Sequence, residues 1–150
     1  KKNENYTPDL IVQLRPTQPF RSIKLLQKAI ELMIKDKKAD SLRSISIPER
    51  TPFKMWIKKG RYLKYFVNKK SFIKKEYFNM DRRKLPKVYW HDGIVDIVRS
   101  STLKKYKNLT GKKIAYIFSN NDYLIDIDTE KDLKLLKIFL KKKLIKFFFN

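Results

Sequence analysis

The sequence predicts an α/β protein in which helices and strands alternate around a doubly wound sheet. Residues 10–12 and 39–47 read as strands, and the segment between them has apolar residues at helical spacing. This order of strand, loop, helix and strand is the repeating unit of a parallel sheet covered by helices. Hydrophobic residues make up 42% of the chain, which is normal for a packed core and too high for a disordered basic tail.

The first helix is predicted to begin after Ser22, a favourable N-cap residue, and to end near Lys37. Its apolar face carries residues at three- and four-residue intervals, namely Ile23, Leu26, Ile30 and Met33. The loop before it, residues 13–21, follows the carboxyl end of the first strand. Ligands bind at such strand ends in open α/β sheets, so we expect a site there.

The rest of the chain predicts a β-hairpin, three further strands and a closing helix. The hairpin joins residues 53–57 to residues 62–66 through a turn at residues 58–60. The strands are expected at residues 93–98, 114–118 and 123–127. Thr129 and Asp132 have the spacing of a capping box. The closing helix that follows carries leucines on one face: Leu133, Leu136, Leu140 and Leu144.

The charge is strongly basic, with 37 Lys or Arg against 15 Asp or Glu and a formal net charge of +22. Most of the excess is Lys, and the abundant Lys, Ile, Asn, Phe and Tyr all use A/T-rich codons. A low-GC genome therefore accounts for the composition without selection for phosphate binding. Arg, the better residue for bidentate phosphate contacts, is the scarcer of the two. A basic nucleic-acid-binding module stays open as an alternative function.

Several classes of protein are disfavoured by what these 150 residues lack. The absence of cysteine excludes a disulfide scaffold, thiolate catalysis and a cysteine zinc site within them. No stretch approaches the roughly 18–20 apolar residues of a membrane-spanning helix. The first ten residues carry no apolar signal-peptide core. We therefore expect a cytoplasmic protein that does not act at a membrane.

Two carboxylates near the closing helix have the spacing of a metal site. Asp126 and Asp128 alternate along the last predicted strand, so they share a face with Cβ atoms roughly 7 Å apart. Such a pair can hold a hard cation such as Mg²⁺. The alternative is that Asp128 caps the helix and Asp126 lies in solvent, and the spacing alone leaves both open.

Polar groups of the loop after the first strand form a second candidate site. Arg15 and Arg21 supply cations, Thr17 a hydroxyl and Gln18 an amide, which suit a nucleotide base or phosphates. An ordinary strand-to-helix turn with charged decoration is the alternative.

The chain's one histidine is a weaker candidate. His91 precedes Asp92, and the two could form an acid–base pair. No second histidine or serine nucleophile lies nearby in sequence, which favours a turn residue instead.

Six segments match, in order, the motifs of one enzyme family. They are R-P-T-Q-P-F-R at 15–21, A-D-S-L-R-S at 39–44, T-P-F-K-M-W at 51–56, R-R-K-L-P at 82–86, D-G at 92–93 and I-D-I-D-T-E-K-D-L at 125–133. Together they resemble the acylneuraminate (CMP-sialic acid synthetase-like) cytidylyltransferases over residues 9–140. The match is to the C-terminal portion of that family's domain. The family's phosphate-binding loop is not among these residues, so we expect an N-terminal part to be missing and this portion alone to be inactive.

The resemblance implies a fold and a reaction. The fold is a Rossmann-like, doubly wound mixed sheet of the nucleotide-diphospho-sugar transferase type, with a β-hairpin extension at residues 53–90 that forms a homodimer. The reaction transfers CMP from CTP to a nonulosonic acid (N-acylneuraminate, legionaminate or pseudaminate), releases pyrophosphate and serves surface glycan synthesis. The anomeric hydroxyl attacks the α-phosphate while Mg²⁺ offsets the phosphate charge. A related nucleotidyltransferase for another sugar or sugar phosphate is the alternative.

The resemblance also implies roles for individual residues. Asp126 and Asp128 match the catalytic, metal-binding pair. The expected substrate-binding residues are Arg15, Thr17, Gln18, Arg21, Lys54, Arg82, Asp92 and Asp96, with Lys54 and Arg82 acting in part across the dimer. Four of these positions often differ in the family, where Gln, Ser, Asn and Tyr are common in place of Arg15, Gln18, Asp92 and Asp96. Because these departures surround the sugar pocket, a relative of sialic acid is at least as good a candidate as sialic acid itself.

Overall fold

A computed structural model of the chain describes residues 6–68, 76–119 and 126–141. They form two compact units, one from the described residues up to Ser46 and from His91 onward, and the other from those between Ile47 and Trp90. In chain order, the strands and helices are β1 (Leu10–Gln13), α1 (Ile23–Lys35), β2 (Ser41–Ser46), β3 (Trp56–Lys59), β4 (Tyr62–Tyr65), β5 (Trp90–Arg99), α2 (Ser100–Tyr106), β6 (Ile114–Phe118) and α3 (Glu130–Lys141).

The first unit contains a mixed four-stranded sheet in the order β1-β5-β2-β6. β1 pairs antiparallel with β5, and β2 pairs parallel with β6. The amide of Arg99 donates to the carbonyl of Asp40 at 3.1 Å, and the amide of Val95 donates to Ser44 Oγ at 3.0 Å. Because the later residue of β5 meets the earlier residue at β2, β5 also runs antiparallel to β2. The predicted mixed α/β class is therefore confirmed.

The core of this unit lies between α1 and the sheet. Ala29 and Met33 of the helix are fully buried against Leu42, Val95 and Ile97. The predicted N-cap is confirmed, because the Ser22 hydroxyl accepts the third amide after it. The predicted apolar face is correct at its carboxyl end. Ile23, by contrast, lies in the first turn, outside the core cluster, and is 71% exposed.

Arg99 holds the end of α1 against the sheet. Its guanidinium donates to the carbonyls of Ala39 at 2.9 Å and Asp36 at 3.0 Å, and also to that of Met33. A cation is favourable where unpaired helix carbonyls and the negative end of the helix dipole meet. One side chain of β5 thereby fixes the position of the helix relative to β2.

Asp40 ties the start of β2 to the turn before β6. Its Oδ2 accepts the backbone amides of Lys112 and Lys113, each at 2.9 Å. These two hydrogen bonds, helped by nearby lysines, lower the pKa of the Asp40 carboxyl below its ordinary value of 3.8.

Asp40→Asn should therefore lose stability in a pH-dependent way. The pKa of Asp40 is depressed in the folded state, so the ionised group stabilises the fold fully above pH 3.8 and progressively less as the pH falls through the folded pKa. The difference in unfolding free energy between wild type and Asp40→Asn should shrink between pH 6.5 and pH values well below 3.8. Urea unfolding at a series of pH values measures it, and a constant difference would contradict the assignment.

The second unit contains a hairpin and a small aromatic core. β3 and β4 pair antiparallel around a two-residue turn at Gly60 and Arg61. Gly60 has a φ of +61°, and a glycine at the first position suits the tight turns of such hairpins. The core buries Phe53, Tyr77 and Leu85. The predicted hairpin is confirmed in its pairing, but its turn lies at Gly60 and Arg61 rather than at residues 58–60, because Lys58 and Lys59 belong to β3. Its first strand starts later than expected because Pro52–Lys54 form a 3-10 turn capped by the Thr51 hydroxyl.

Two strands and one helix also differ from the sequence-based expectations. β1 is only partly buried because it lies at one end of the described sheet and pairs with β5 alone. α2 was not predicted, since it begins with Ser-Ser-Thr and spans seven residues. Of the strand expected at residues 123–127, residues 123–125 lie outside the described part, as does Leu144, and Asp126 and Ile127 are not in a strand. Within the described residues, no helix combines the length and the apolar composition needed to cross a bilayer.

Candidate functional site

The candidate site lies at the edge of the sheet where β1 and β2 end and β5 begins, called here the carboxyl edge. The antiparallel pairing of β5 with both neighbours brings these three strand ends to the same side. The loop of residues 14–22 leaves β1 at this edge, and His91 and Asp92 enter β5 there. The predicted position of the loop, after the carboxyl end of a strand of the sheet, is confirmed.

The loop is fixed by its own backbone and by Arg21. The amide of Gln18 donates to the carbonyl of Arg15 at 3.1 Å, which closes a turn, and Gln18 is buried. Arg21 donates through Nε to the carbonyl of Ile94 at 2.9 Å and through Nη2 to that of Arg15. Burial lowers the pKa of the Arg21 guanidinium, which nevertheless stays charged. Arg21 therefore links the loop to β5.

The loop also contacts the acidic segment that precedes α3. The amide of Ile127 donates to the carbonyl of Thr17 at 2.9 Å. Ile127 also packs with Phe20 and Leu136 in an apolar cluster. Asp126 and Asp128, on either side of Ile127, are both exposed. The structure thus places the loop of residues 14–22 beside the Asp126–Asp128 segment, which the sequence predicted as two separate candidate sites.

The N-terminal cap of α3 shows whether Asp128 is the capping residue. Thr129 donates to Asp132 Oδ2 through its amide at 2.8 Å and its hydroxyl at 2.7 Å, and the Asp132 amide returns a hydrogen bond to the hydroxyl. The Thr129 hydroxyl is the main cause of the lowered pKa of the Asp132 carboxyl. The predicted capping box is confirmed. Asp132 is the capping carboxylate, and the carboxylate of Asp128 has no hydrogen-bond partner within the described residues.

The two exposed carboxylates fit the chemistry of Mg²⁺, which binds one or two protein carboxylates and keeps its other positions for water and phosphate oxygens. Asp126 and Asp128 supply such oxygens. The described residues contain no group of three or more His, Asp or Glu side chains suited to a metal. A cation at Asp126 and Asp128 would therefore leave most of its coordination positions to ligands from solution.

Asp96 is the centre of a charged cluster on β5. Its side chain is 5% exposed and lies 3.4 Å from Arg15 Nη2, 3.6 Å from Arg43 Nη1 and 2.7 Å from His91 Nε2. A buried carboxylate needs such partners to offset its lost hydration. Sequence reasoning missed Arg43, which belongs to the A-D-S-L-R-S segment. Its contact depends on β2 and β5 being neighbours, which no local pattern reveals.

Asp92 is buried, and only one of its two carboxylate oxygens has hydrogen-bond partners among the described residues. Oδ1 accepts the Ser44 hydroxyl at 2.5 Å and the Ile94 amide at 3.2 Å. Oδ2 is buried without a hydrogen-bond partner among the described residues, and so is the hydroxyl of Ser119, which follows β6 beside Ile45. Buried polar atoms are nearly always paired, so these two oxygens are positions that a bound water molecule or a ligand would fill.

Gly93 allows this arrangement. Its φ is +71°, a conformation that favours glycine, and a Cβ there would lie 3.1 Å from Arg15 Cζ, so a larger residue would push the guanidinium away from β5 by a few tenths of an ångström. The left-handed backbone at Gly93 also interrupts the regular alternation of side chains between the two faces of β5. His91 and Asp96, five residues apart, would face opposite sides of a regular strand, yet they are in contact. The expectation that His91 is a turn residue is wrong, because it lies in β5, and its partner is Asp96 rather than Asp92.

The remaining predicted site residues lie in the second unit. Arg82 donates through Nη1 to the carbonyl of Glu49 at 2.7 Å and through Nη2 to that of Pro48. Lys54 is exposed at the end of the 3-10 turn. Within its own unit, Arg82 therefore fixes the chain just after β2, and Lys54 is available to an external anion.

No protein-family model matches the chain, and no curated protein matches its sequence.

Proposed function

We propose that the protein is a Mg²⁺-dependent cytidylyltransferase that transfers CMP from CTP to a nonulosonic acid and releases pyrophosphate. The observation that carries the proposal is the hydrogen bond from the Ile127 amide to the Thr17 carbonyl. It sets two exposed carboxylates beside the loop that carries the exposed Arg15. A nucleotidyltransferase needs both, since the metal and the cations together offset the charge of the phosphates.

Each part of the carboxyl edge has a role in this proposal. Asp126 and Asp128 hold the metal. Arg15, whose side chain is 44% exposed, offers its guanidinium to a substrate phosphate or carboxylate. The Thr17 hydroxyl of the same loop assists, whereas Gln18 is buried and closes the loop turn through its backbone amide. The surrounding fold is proposed to be Rossmann-like and doubly wound, of the nucleotide-diphospho-sugar transferase type, and the protein to act in the cytoplasm.

Asp92 Oδ2, which has no partner among the described residues, is compatible with a polyhydroxylated substrate. A carboxylate oxygen accepts hydrogen bonds but cannot donate them, so its partner must be a hydroxyl or another donor. A nonulosonic acid offers several hydroxyls along with a carboxylate suited to Arg15. N-acylneuraminate, legionaminate and pseudaminate all meet this requirement, and all serve surface glycan synthesis.

The test is product formation by the complete protein. CTP, Mg²⁺ and each of the three nonulosonic acids are incubated with it, and pyrophosphate release is measured together with the mass of the nucleotide product. We expect a CMP-sugar from at least one of the acids and much slower release with ATP, GTP or UTP. Release with a sugar phosphate and none with the acids would favour the related nucleotidyltransferase instead.

We also propose that the protein is a homodimer formed through residues 53–90. Both strands of the hairpin are exposed along their whole length, including Tyr62 at 77% and Leu63 at 61%. A shallow groove of about 740 Å³ runs along the hairpin and is lined by Trp56, Leu63, Phe66 and their neighbours. Apolar patches of this kind on a folded protein mark interaction surfaces.

Leu63→Glu should convert the dimer to a monomer, because it would bury an unpaired charge in the proposed interface. Light scattering at micromolar concentration measures the mass. The matched control is Ile34→Glu, which replaces an aliphatic residue of similar exposure, 58%, on α1 in the other unit. A wild-type protein that is monomeric while folded would count against the dimer, as would equal dimerisation of both variants.

A basic nucleic-acid-binding module is the second candidate, favoured by the same hairpin. Lys58, Lys59 and Lys64 alternate there with exposed aromatic rings, a combination that can stack bases and contact phosphates. Such binding falls steeply with salt. Fluorescence anisotropy with a single-stranded oligonucleotide at rising salt distinguishes the candidates. We expect only weak association that is lost near physiological salt, whereas retained binding would favour the module.

A further inference from the structure

His91 and Asp96 form a hydrogen-bonded pair with unequal exposure. Nε2 of His91 lies 2.7 Å from Oδ1 of Asp96. The carboxylate is 5% exposed, whereas the imidazole is 41% exposed. Because an ionised carboxylate only accepts hydrogen bonds, it fixes the neutral ring with its proton on Nε2. Nδ1 is then the basic nitrogen, and it has no hydrogen-bond partner within the described residues.

The carboxylate is itself held by two cations. Arg15 Nη2 lies 3.4 Å from Oδ2 and Arg43 Nη1 lies 3.6 Å from Oδ1, so the loop after β1 and strand β2 both supply a charge that faces Asp96. In many enzymes a hydroxyl nucleophile is activated by a base that a buried acidic group holds in position, as Asp96 holds His91. The pair is also joined to the candidate site, because Arg15 begins the loop whose Thr17 carbonyl accepts the Ile127 amide.

We propose that His91 is the general base of the transfer reaction and that Asp96 is its positioning residue. This inference rests on the proposed function. Nδ1 takes the proton of the attacking sugar hydroxyl as that oxygen forms a bond to the α-phosphorus of CTP. The bond from the α-phosphorus to the bridging oxygen breaks, and pyrophosphate leaves with the bonding electron pair. The imidazolium that results is stabilised by the Asp96 carboxylate, and it returns its proton to water after product release.

The other acidic groups of the site suit this role less well. Asp92 is buried, and its Oδ1 already accepts two hydrogen bonds. Asp126 and Asp128 are assigned to the metal, and a carboxylate bound to a divalent cation is a poor base. His91 is the chain's one histidine, so no second imidazole of these 150 residues can take its place.

His91→Ala in the complete protein tests the proposal, with pyrophosphate release from CTP and the accepted sugar as the assay. Removal of a general base costs typically about 100-fold or more in kcat, with KM for CTP little changed. Added imidazole should restore part of the lost rate, and the rescue should increase as imidazole becomes neutral. A kcat close to wild type, or a reduced kcat that imidazole does not raise, would overturn the assignment while leaving the cytidylyltransferase proposal intact.

A second measurement does not depend on activity. The histidine ring nitrogens of the complete protein are observed in a ¹⁵N NMR spectrum, and those of His91 are identified as the signals that His91→Ala removes. At a pH where the ring is neutral we expect the proton on Nε2, and a proton on Nδ1 would overturn the proposal. If the wild type forms no nucleotide-sugar while the ring has the expected tautomer, the proposed function fails and the proton-transfer role fails with it.

Discussion

Replacing Asp128 with Ala should lower turnover at least about 100-fold while leaving the stability of the protein nearly unchanged. The carboxylate is exposed and makes no hydrogen bond within the described residues, so its loss removes no hydrogen bond that they show. Surface substitutions of this kind usually change stability by less than about 0.5 kcal/mol. The catalytic loss follows because one of the two proposed metal ligands is gone.

The measurement is kcat for pyrophosphate release at saturating Mg²⁺, together with urea unfolding of the same samples. Glu130→Ala is the matched control, since it removes an exposed carboxylate two residues away, in the first turn of α3. We expect the control to retain near-normal turnover. Normal turnover in Asp128→Ala would contradict the metal site, and a large loss of stability would contradict the assignment of a purely catalytic role.

Gly111→Ala should destabilise the protein by about 2–4 kcal/mol, more than the same change at Gly60. Gly111 has a φ of +71°, and a Cβ there would lie 2.4 Å from the Asp40 Cβ and 2.8 Å from its Cγ. The methyl group would therefore push Asp40 away from the amides of Lys112 and Lys113. The left-handed backbone adds its own cost for a residue with a side chain.

Gly60→Ala separates the two contributions. Gly60 has a similar φ of +61°, but a Cβ added there would meet no atom within 4 Å. Its replacement should cost only the conformational penalty, about 1–2 kcal/mol. Urea or thermal unfolding measures both variants. Equal destabilisation would show that contact with Asp40 contributes nothing.

Local patterns predicted the elements whose signals lie within a few residues. The cap at Ser22 and the helical spacing that follows it locate α1, and the capping box at Thr129 and Asp132 locates the start of α3. The apolar runs locate β2 and β6. The turn at Gly60 locates the hairpin, although the exact strand ends depend on Pro52 and on cross-strand pairing.

The arrangement of these elements could not be predicted in the same way. β5 lies between β1 and β2, although the chain reaches it about 45 residues after β2 ends. That insertion makes the sheet mixed and leaves β1 at one end. Residues 100–102 carry no apolar periodicity, so nothing in the sequence marked α2.

The same distinction applies to the candidate site. The arginines of the loop and the Asp126–Asp128 pair were visible as local motifs, but their proximity depends on a backbone hydrogen bond and on apolar packing between distant segments. The contact of His91 with Asp96 depends on the left-handed φ of Gly93, which the D-G dipeptide alone does not reveal. The unsatisfied oxygen of Asp92 depends on burial by the folded chain.

The central claim is that the loop after β1 and residues 126–128 form one metal–nucleotide site, and Mn²⁺ tests it most directly. Mn²⁺ binds oxygen ligands much as Mg²⁺ does and broadens the NMR signals of nearby nuclei. With ¹⁵N-labelled complete protein, CTP and a small amount of Mn²⁺, we expect selective broadening of the amide signals of Thr17 and Ile127. Asp128→Ala should abolish it. Unchanged Thr17 and Ile127 signals, with broadening at other acidic residues, would contradict the account.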